Sequence, residues 1–298
     1  MGVVVVGQVG RDLALRTARF PAEGGTEPVI ERLERLGGKG ANQAVGLAQL
    51  GVPVSLVGVV GHDTAGTAVA DEAALDGIDV ADVIQRGSTA LLVTLVDRQA
   101  RRRLFEDVPR SALLTAEDIG RAAVAIDSAD TVSIQLQQPA DAVLAAASRA
   151  RRAGARVITD GVVGPESVDE LLASVDVLRA DAKEAELLAG EPLRSVTEAL
   201  ELAKRLLEAH PELVALAIPE VGDLLVWSGD SHLYPVSKTP TVDRTGAGDA
   251  FMAGLVTALR DGASPVDAGD LATRAAAATV THLGGRPDLA HLVRPQRG

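Results

Sequence analysis

The 298-residue chain predicts an α/β fold, a doubly wound and mostly parallel sheet flanked by helices, with a small β-sheet beside it that is either a lid or an ordinary surface hairpin or dimer contact. Three observations carry that expectation. Short apolar strand-like runs alternate with helical patterns through the second half, the order from which parallel sheets and their crossovers are built. Aromatic residues make up only 2% of a chain that is 47% hydrophobic, so the core must consist of Val, Leu, Ile and Ala, as in sheets buried on both faces. Two pairs of polar, alternating strands interrupt this rhythm at about 12–36 and 89–108, and they are expected to share one small sheet.

The elements follow in order. VVVV at 3–6, between glycines, reads as a buried strand, and GQVG at 7–10 turns it out of the sheet without the full GxGxxG spacing of a dinucleotide site. From Asp12 the alternation of Leu13, Leu15 and Thr17 with Ala14, Arg16 and Ala18, then a Pro/Gly-rich bend over 21–28, predicts exposed strands joined by a loop. LGGKGANQAV at 36–45 enters a helix that runs to Leu50 and stops at Gly51. Segments 90–96 and 101–107 form a hairpin around DRQA at 97–100. Strands are then expected at 131–134, 156–159, 175–178 and 214–218, with a further hairpin of 224–227 and 232–236 around SGD at 228–230. Helices are expected at 139–153, 168–173, 181–188, 196–209, 247–260 and 265–283, and the tail from Arg286 as loosely attached. Neither an internal repeat nor a low-complexity linker is present, and length alone does not decide between one large domain and two smaller ones.

Composition excludes several functions. The formal charge is −12 and no basic run exceeds Arg101, Arg102 and Arg103, which argues against nucleic-acid or membrane partners. There is no cysteine, hence no disulfide, thiolate catalysis or cysteine-held zinc, and the five histidines lack metal-ligand spacing. The first ten residues lack the basic start of a signal peptide and no apolar run reaches a spanning length, so a cytoplasmic protein is expected.

Chemistry concentrates at TVDRTGAGDAF, residues 241–251. Three small residues, Gly246, Ala247 and Gly248, lead into Asp249 at the start of a helix whose apolar face is Phe251, Leu255, Val256 and Leu259. Bare amides and partial positive charge at such a start suit a phosphate, and an aspartate in the first turn can take the proton of an attacking hydroxyl. The bland alternative is a turn followed by a favourable helix-start charge. At the earlier loop, Lys39 precedes Gly40 rather than Ser or Thr, which rules out a P-loop. What remains is a glycine turn presenting Gly38, Lys39 and Asn42 (amide, ammonium and carboxamide) to polyol hydroxyls or a phosphate.

GGKGANQAV at 37–45 and VDRTGAGDAF at 242–251, in this order and separation, resemble the two signatures of the ribokinase-like (PfkB) sugar kinases, and the likeness extends over essentially the whole chain. The resemblance implies a single ribokinase-like α/β domain over 1–298 with a β lid, and transfer of the γ-phosphoryl group of ATP to a hydroxymethyl group of a small sugar. It implies Asp249 as the base, with the amides of Gly246, Ala247 and Gly248 as the anion hole. Asp12, Gly38, Lys39, Asn42 and Gln137 fall at sugar-binding positions, and Asp181, Glu184, Gly222 and Thr273 at nucleotide-binding ones. DAKE at 181–184 is similar to the NxxE element, where Glu184 would hold Mg²⁺ through water. Asp243, Thr245 and Gly284 correspond to a monovalent-cation site for K⁺, and the lid edge offers a route to a homodimer. The departures bear on the substrate: Gly10 replaces an Asn and Gln137 a Glu, which puts ribose in doubt, while Pro219 removes an amide from the phosphate loop AIPEVG at 217–222 and Arg244 replaces a Thr. A nucleoside kinase on the same scaffold and a non-catalytic sugar- or nucleotide-binding regulator are the alternatives.

Overall fold

Strand β1 (Val3–Val6) is four valines with no exposed face. Val4 and Val6 enter one apolar cluster and Val3 and Val5 another, the alternation by which a central strand feeds two cores at once. The computed structural model describes residues 2–293. Around β1 it builds a nine-stranded sheet from β4 (Val54–Val60), β5 (Val83–Gln85), β8 (Thr131–Gln135), β9 (Arg156–Asp160), β10 (Val177–Ala180), β11 (Leu213–Ile218), β12 (Gly222–Trp227) and β13 (Asp230–Pro235). Its order is β13-β12-β11-β10-β9-β8-β1-β4-β5; all neighbours are parallel except the antiparallel β11–β12–β13 edge.

One face is covered by α3 (Ala116–Arg121), α4 (Ala123–Ser128), α5 (Ala140–Ala153), α6 (Val168–Leu172), α7 (Ala182–Ala189) and α8 (Val196–Leu207), which supply Ile119, Ile126, Ala146, Leu171, Ala185 and Leu202 to the first cluster. The other face carries α1 (Lys39–Gln49), α2 (Thr64–Leu75), α9 (Ala247–Arg260) and α10 (Pro265–Thr279), with Leu47, Val69, Phe251 and Ala272 in the second. Small residues set how closely these helices meet. A side chain at Gly46 would stand 2.6 Å from Ala253 Cβ, so α1 and α9 pack almost backbone to backbone and bring the two sequence motifs together.

A separate four-stranded sheet, β3-β2-β6-β7, is made from β2 (Gly10–Thr17), β3 (Val29–Gly37), β6 (Ala90–Val96) and β7 (Arg102–Asp107). Both polar strand pairs expected from the sequence therefore join one sheet, through the parallel pairing of β2 with β6. Gly10 sits at that junction, where a Cβ would lie 2.8 Å from the Ala90 carbonyl oxygen.

Several elements were not assigned from the sequence, namely β4, α2, β5, α3 and α4. The expected strand at 175–178 lies two residues later, and the last helix ends at Thr279 rather than 283. Residues 286–289 are docked, not loose: Arg286 pairs with Glu72 and Asp76, Gln49 bonds both the Pro287 carbonyl and the Leu289 amide, and Leu289 is fully buried; residues 294–298 of the expected loose tail lie outside the described residues. A few apolar residues, Leu289, Leu292 and Val293, scattered among prolines and charges gave no periodicity to foretell this.

Candidate active site

The turn that precedes α9 is held before any ligand is considered. Asp243, fully buried, accepts from the Thr245 amide at 2.9 Å and its hydroxyl at 2.7 Å through Oδ1, and from the Gly284 amide at 3.0 Å through Oδ2. Those bonds fold 243–245 against the loop after α10 and aim the chain into the helix. Gly246, the N-cap, has φ 75°, and a Cβ there would fall 1.9 Å from the Gly285 carbonyl oxygen, so only glycine fits. Ala247 and Gly248 begin the helix with no side-chain cap; the Ala247 amide makes a long 3.4 Å bond to the Arg244 carbonyl, and the Gly248 amide is left facing an outside acceptor.

Asp249 follows in the first turn and is 6% exposed. Its Oδ2 accepts a 3.0 Å hydrogen bond from Asn42 Nδ2, on the neighbouring helix α1. Burial raises the Asp249 carboxyl to about 7; Lys39 opposes this, Asp160 adds to it, and the Asn42 bond and Arg179 oppose it in turn. Asp12, on β2, is also raised to about 7, by burial and then by Asp249, with the Gly38 N–H pulling the other way. The Asp12 carboxylate lies over Gly37, where any side chain would collide with it at 2.0 Å. Two carboxyls that discourage each other's ionisation thus face one space.

That space is a cavity of about 100 Å³ lined by both motif loops and by the small sheet. Gly38, Lys39, Asn42, Gln137, Thr245, Gly246 and Asp249 form the side belonging to the main body. Leu92 and Thr94 of β6, with Arg102, Leu104 and Glu106 of β7, form the opposite wall. The register pairs Leu92 with Glu106, Thr94 with Leu104 and Val96 with Arg102, so these side chains share one sheet face. Arg102 Nη1 reaches Thr245 Oγ1 at 3.4 Å. Larger hollows elsewhere, such as about 600 Å³ between α8 and β12 around Leu200 and Trp227, contain none of these groups.

Of the other expected positions, Glu184 reaches the cavity through Lys39, while Asp181, Gly222 and Thr273 are not among its lining residues. Lys39 Nζ pairs with Glu184 Oε1 at 3.2 Å; burial works against its charge, but Asp160, Glu184 and Asp249 outweigh it and hold the ammonium above its ordinary range. Asp181 and Glu184 form a reciprocal capping box on α7, with Asp181 Oδ1 accepting from the Lys183 and Glu184 amides and Glu184 Oε2 from the Asp181 amide. Gly222 opens β12 at φ 143°, where a side chain would strike the Tyr234 carbonyl. Thr273, on α10, has a buried hydroxyl without a partner. Pro219 stands in the β11–β12 turn, closed by Val221 N–H to the Ile218 carbonyl, with Glu220 at φ 62°. Arg244 is exposed and makes no ion pair among the described residues.

Sequence reasoning missed the wall contributed by β6 and β7, although their period-two alternation could have named it once one face was known to look inward. It also missed a buried chain of polar side chains: Ser133 Oγ donates to Gln43 Oε1 at 3.1 Å, Gln43 Nε2 to Asp160 Oδ2 at 3.0 Å, and Arg179 Nη1 to Asp160 Oδ1 at 2.8 Å. The visible signal was an arginine inside the apolar run of β10.

Comparison with known proteins agrees with this geometry. Ribokinase of Haemophilus influenzae is 26% identical over 289 residues, covering 96% of this chain and 94% of that protein. The ATP-dependent ribose-1-phosphate kinase of Halopiger xanaduensis is 30% identical, covering 87% and 86%. The structure of Arabidopsis thaliana ribokinase complexed with ribose and ATP superposes with a TM-score of 0.80 at 25% identity, covering 98% and 97% of the two chains. Residues 2–291 match the pfkB family carbohydrate kinases as a whole. With an acid at a glycine-framed helix start, a facing glycine–lysine loop and a small sheet over both, the chain belongs to the pfkB family of carbohydrate kinases.

Proposed function

We propose that the protein transfers the γ-phosphoryl group of ATP to a hydroxymethyl group of a small sugar held between Asp249 and the small sheet. The observation that carries this reading is the Asn42–Asp249 hydrogen bond, which fixes a buried carboxyl in the first turn of α9, on the wall of the cavity shared by both motif loops and the small sheet. Asp249 accepts the hydroxyl proton as the sugar oxygen forms its bond to phosphorus, and the bond from phosphorus to the ADP oxygen breaks. The amides of Gly246, Ala247 and Gly248 receive the charge on the transferred group. Asp12, Gly38, Lys39, Asn42 and Gln137 bind and orient the sugar, and the small sheet acts as a lid that keeps water from competing for the phosphoryl group.

The ions follow from the donors present. Carboxylates outnumber cations around the base, with Asp12, Asp160, Glu184, Asp243 and Asp249 against Lys39, Arg102 and Arg179, so a nucleotide is best accommodated with a divalent partner. Among the described residues no cluster of three acidic or histidine groups could hold a metal by itself. Mg²⁺ would therefore arrive on the phosphates, with Glu184, beside Asp181, orienting it through water. Bound there, it would neutralise phosphate charge. Asp243, Thr245 and Gly284 gather next to the anion hole, and backbone carbonyls of these loops would hold K⁺.

A second reading concerns the acceptor. Arg102 enters the cavity from β7, and a sugar already carrying a phosphate would match it; the Halopiger relative is named for such a substrate. No aromatic side chain lines the cavity, which disfavours a nucleoside whose base needs a stacking partner. The test is ADP release across pentoses, hexoses, keto-deoxy acids, sugar phosphates and nucleosides, with and without K⁺. Turnover with free sugars or sugar phosphates supports the reading; ligand binding without ADP release from any acceptor would replace it with a regulator. Pairing through the exposed edge of the small sheet would give a homodimer, readable by sedimentation.

A further inference from the structure

Arg179 is 7% exposed, on a strand buried at every position. An arginine there is costly unless its donors are used. Only Nη1 has an acceptor among the described residues, Asp160 at 2.8 Å, and Nε is buried with no partner at all. The guanidinium is nevertheless held firmly. Asp160 is gripped by Gln43, which is gripped by Ser133, and the Phe251 ring lies 5.9 Å away.

Its position gives the spare donors a direction. A Cβ built on Gly248 would lie 2.9 Å from Arg179 Nη1 and 3.1 Å from Nη2, so the guanidinium rests against the backbone of the first turn of α9. A side chain at Gly248 would have to displace the guanidinium. The charge is felt by Glu184 and Asp223 as well as by Asp249. A buried cation with unused N–H groups beside the uncapped N-terminus of a long helix has the chemistry of a phosphate ligand.

We infer that Arg179 is a further ligand of the transferred phosphoryl group, closing the anion hole of Gly246, Ala247 and Gly248 with a guanidinium aimed by Asp160. The inference rests on the reading of that helix start as the phosphoryl site. It adds a residue whose contact strengthens as charge builds on the equatorial oxygens.

The test compares Arg179→Lys, Asp160→Asn and the double variant Arg179→Met/Asp160→Asn, which removes the ion pair without stranding a charge. Turnover is measured alongside calorimetric binding of the β,γ-imido analogue of ATP with Mg²⁺ and of adenosine. Loss of one such donor costs a factor of about 10² to 10³ in kcat. The double variant is expected to fall at least 100-fold below Asp160→Asn in kcat, and to bind the imido analogue at least tenfold more weakly with adenosine affinity unchanged. Arg179→Lys, which keeps the charge against Asp160, is expected to show the same split in smaller measure. Turnover and analogue affinity in both Arg179 variants within threefold of their references, or equal losses for analogue and adenosine, would overturn the inference. If Asp249→Asn also turned over within tenfold of the parent, the site reading itself would fail; if Asp249→Asn were inactive, only the Arg179 assignment would.

Discussion

Replacing Asp249 by asparagine removes a charge without removing volume, and it separates two consequences of the same burial. The folded carboxyl titrates at about 7 against an ordinary 3.8. Because the folded state holds that proton more tightly than the unfolded chain, the group stabilises the protein fully below about pH 4. That stability is lost as pH rises through about 7. Roughly three pH units of displacement at 1.36 kcal/mol each amount to about 4 kcal/mol over the whole window. Asn42 can still donate to the amide oxygen of the variant, so the Asn42–Asp249 bond need not be lost. Removing the charge also relieves Asp12, whose own rise is caused in part by Asp249. Thermal denaturation of the ligand-free protein between pH 5 and 8.5 should therefore show the parent losing stability with pH while Asp249→Asn loses less, the variant being the more stable by several degrees above pH 7.5. Phosphorylation by the same variant should fall at least a thousandfold while ATP binding persists. Parallel stability curves for the two proteins would refute the burial argument, and turnover within tenfold would refute the role of base.

The kcat/KM for the sugar should rise with pH around 7, as the Asp249–Asp12 pair ionises in the free enzyme; a flat profile from pH 5.5 to 8.5 would contradict this. Asn42→Ala removes a hydrogen bond to a charged group, worth about 1.5 to 3 kcal/mol, and should lower kcat/KM by one to two orders of magnitude and shift that profile upward. Gly246→Ala forces a Cβ against the Gly285 carbonyl at a left-handed φ, and should cost at least about 2 kcal/mol of stability in chemical denaturation as well as activity. Arg102→Ala should raise KM at least tenfold for a sugar phosphate and little for a neutral sugar; equal effects on both would remove Arg102 from substrate selection.

Much was written in local pattern. The four valines of β1, the helices beginning at Lys39 and Ala247, the hairpin of β6 and β7 and the acid at 249 were all legible, because periodicity and small-residue turns are properties of neighbouring residues. Resemblance supplied the pairing of two motifs some 200 positions apart. The closeness of α1 and α9 that makes Asn42 a partner of Asp249 was decided by tertiary packing, through Gly46 against Ala253. So was the inward face of β7: alternation says that Arg102, Leu104 and Glu106 lie together, but only the sheet's placement says they look into a cavity. Burial likewise turned Arg179 from an odd residue in a strand into a cation with unused donors, and raised two carboxyls that a sequence alone leaves at their ordinary values. Desolvation and long-range charge depend on what surrounds a group in space, and a chain read one residue at a time does not contain that.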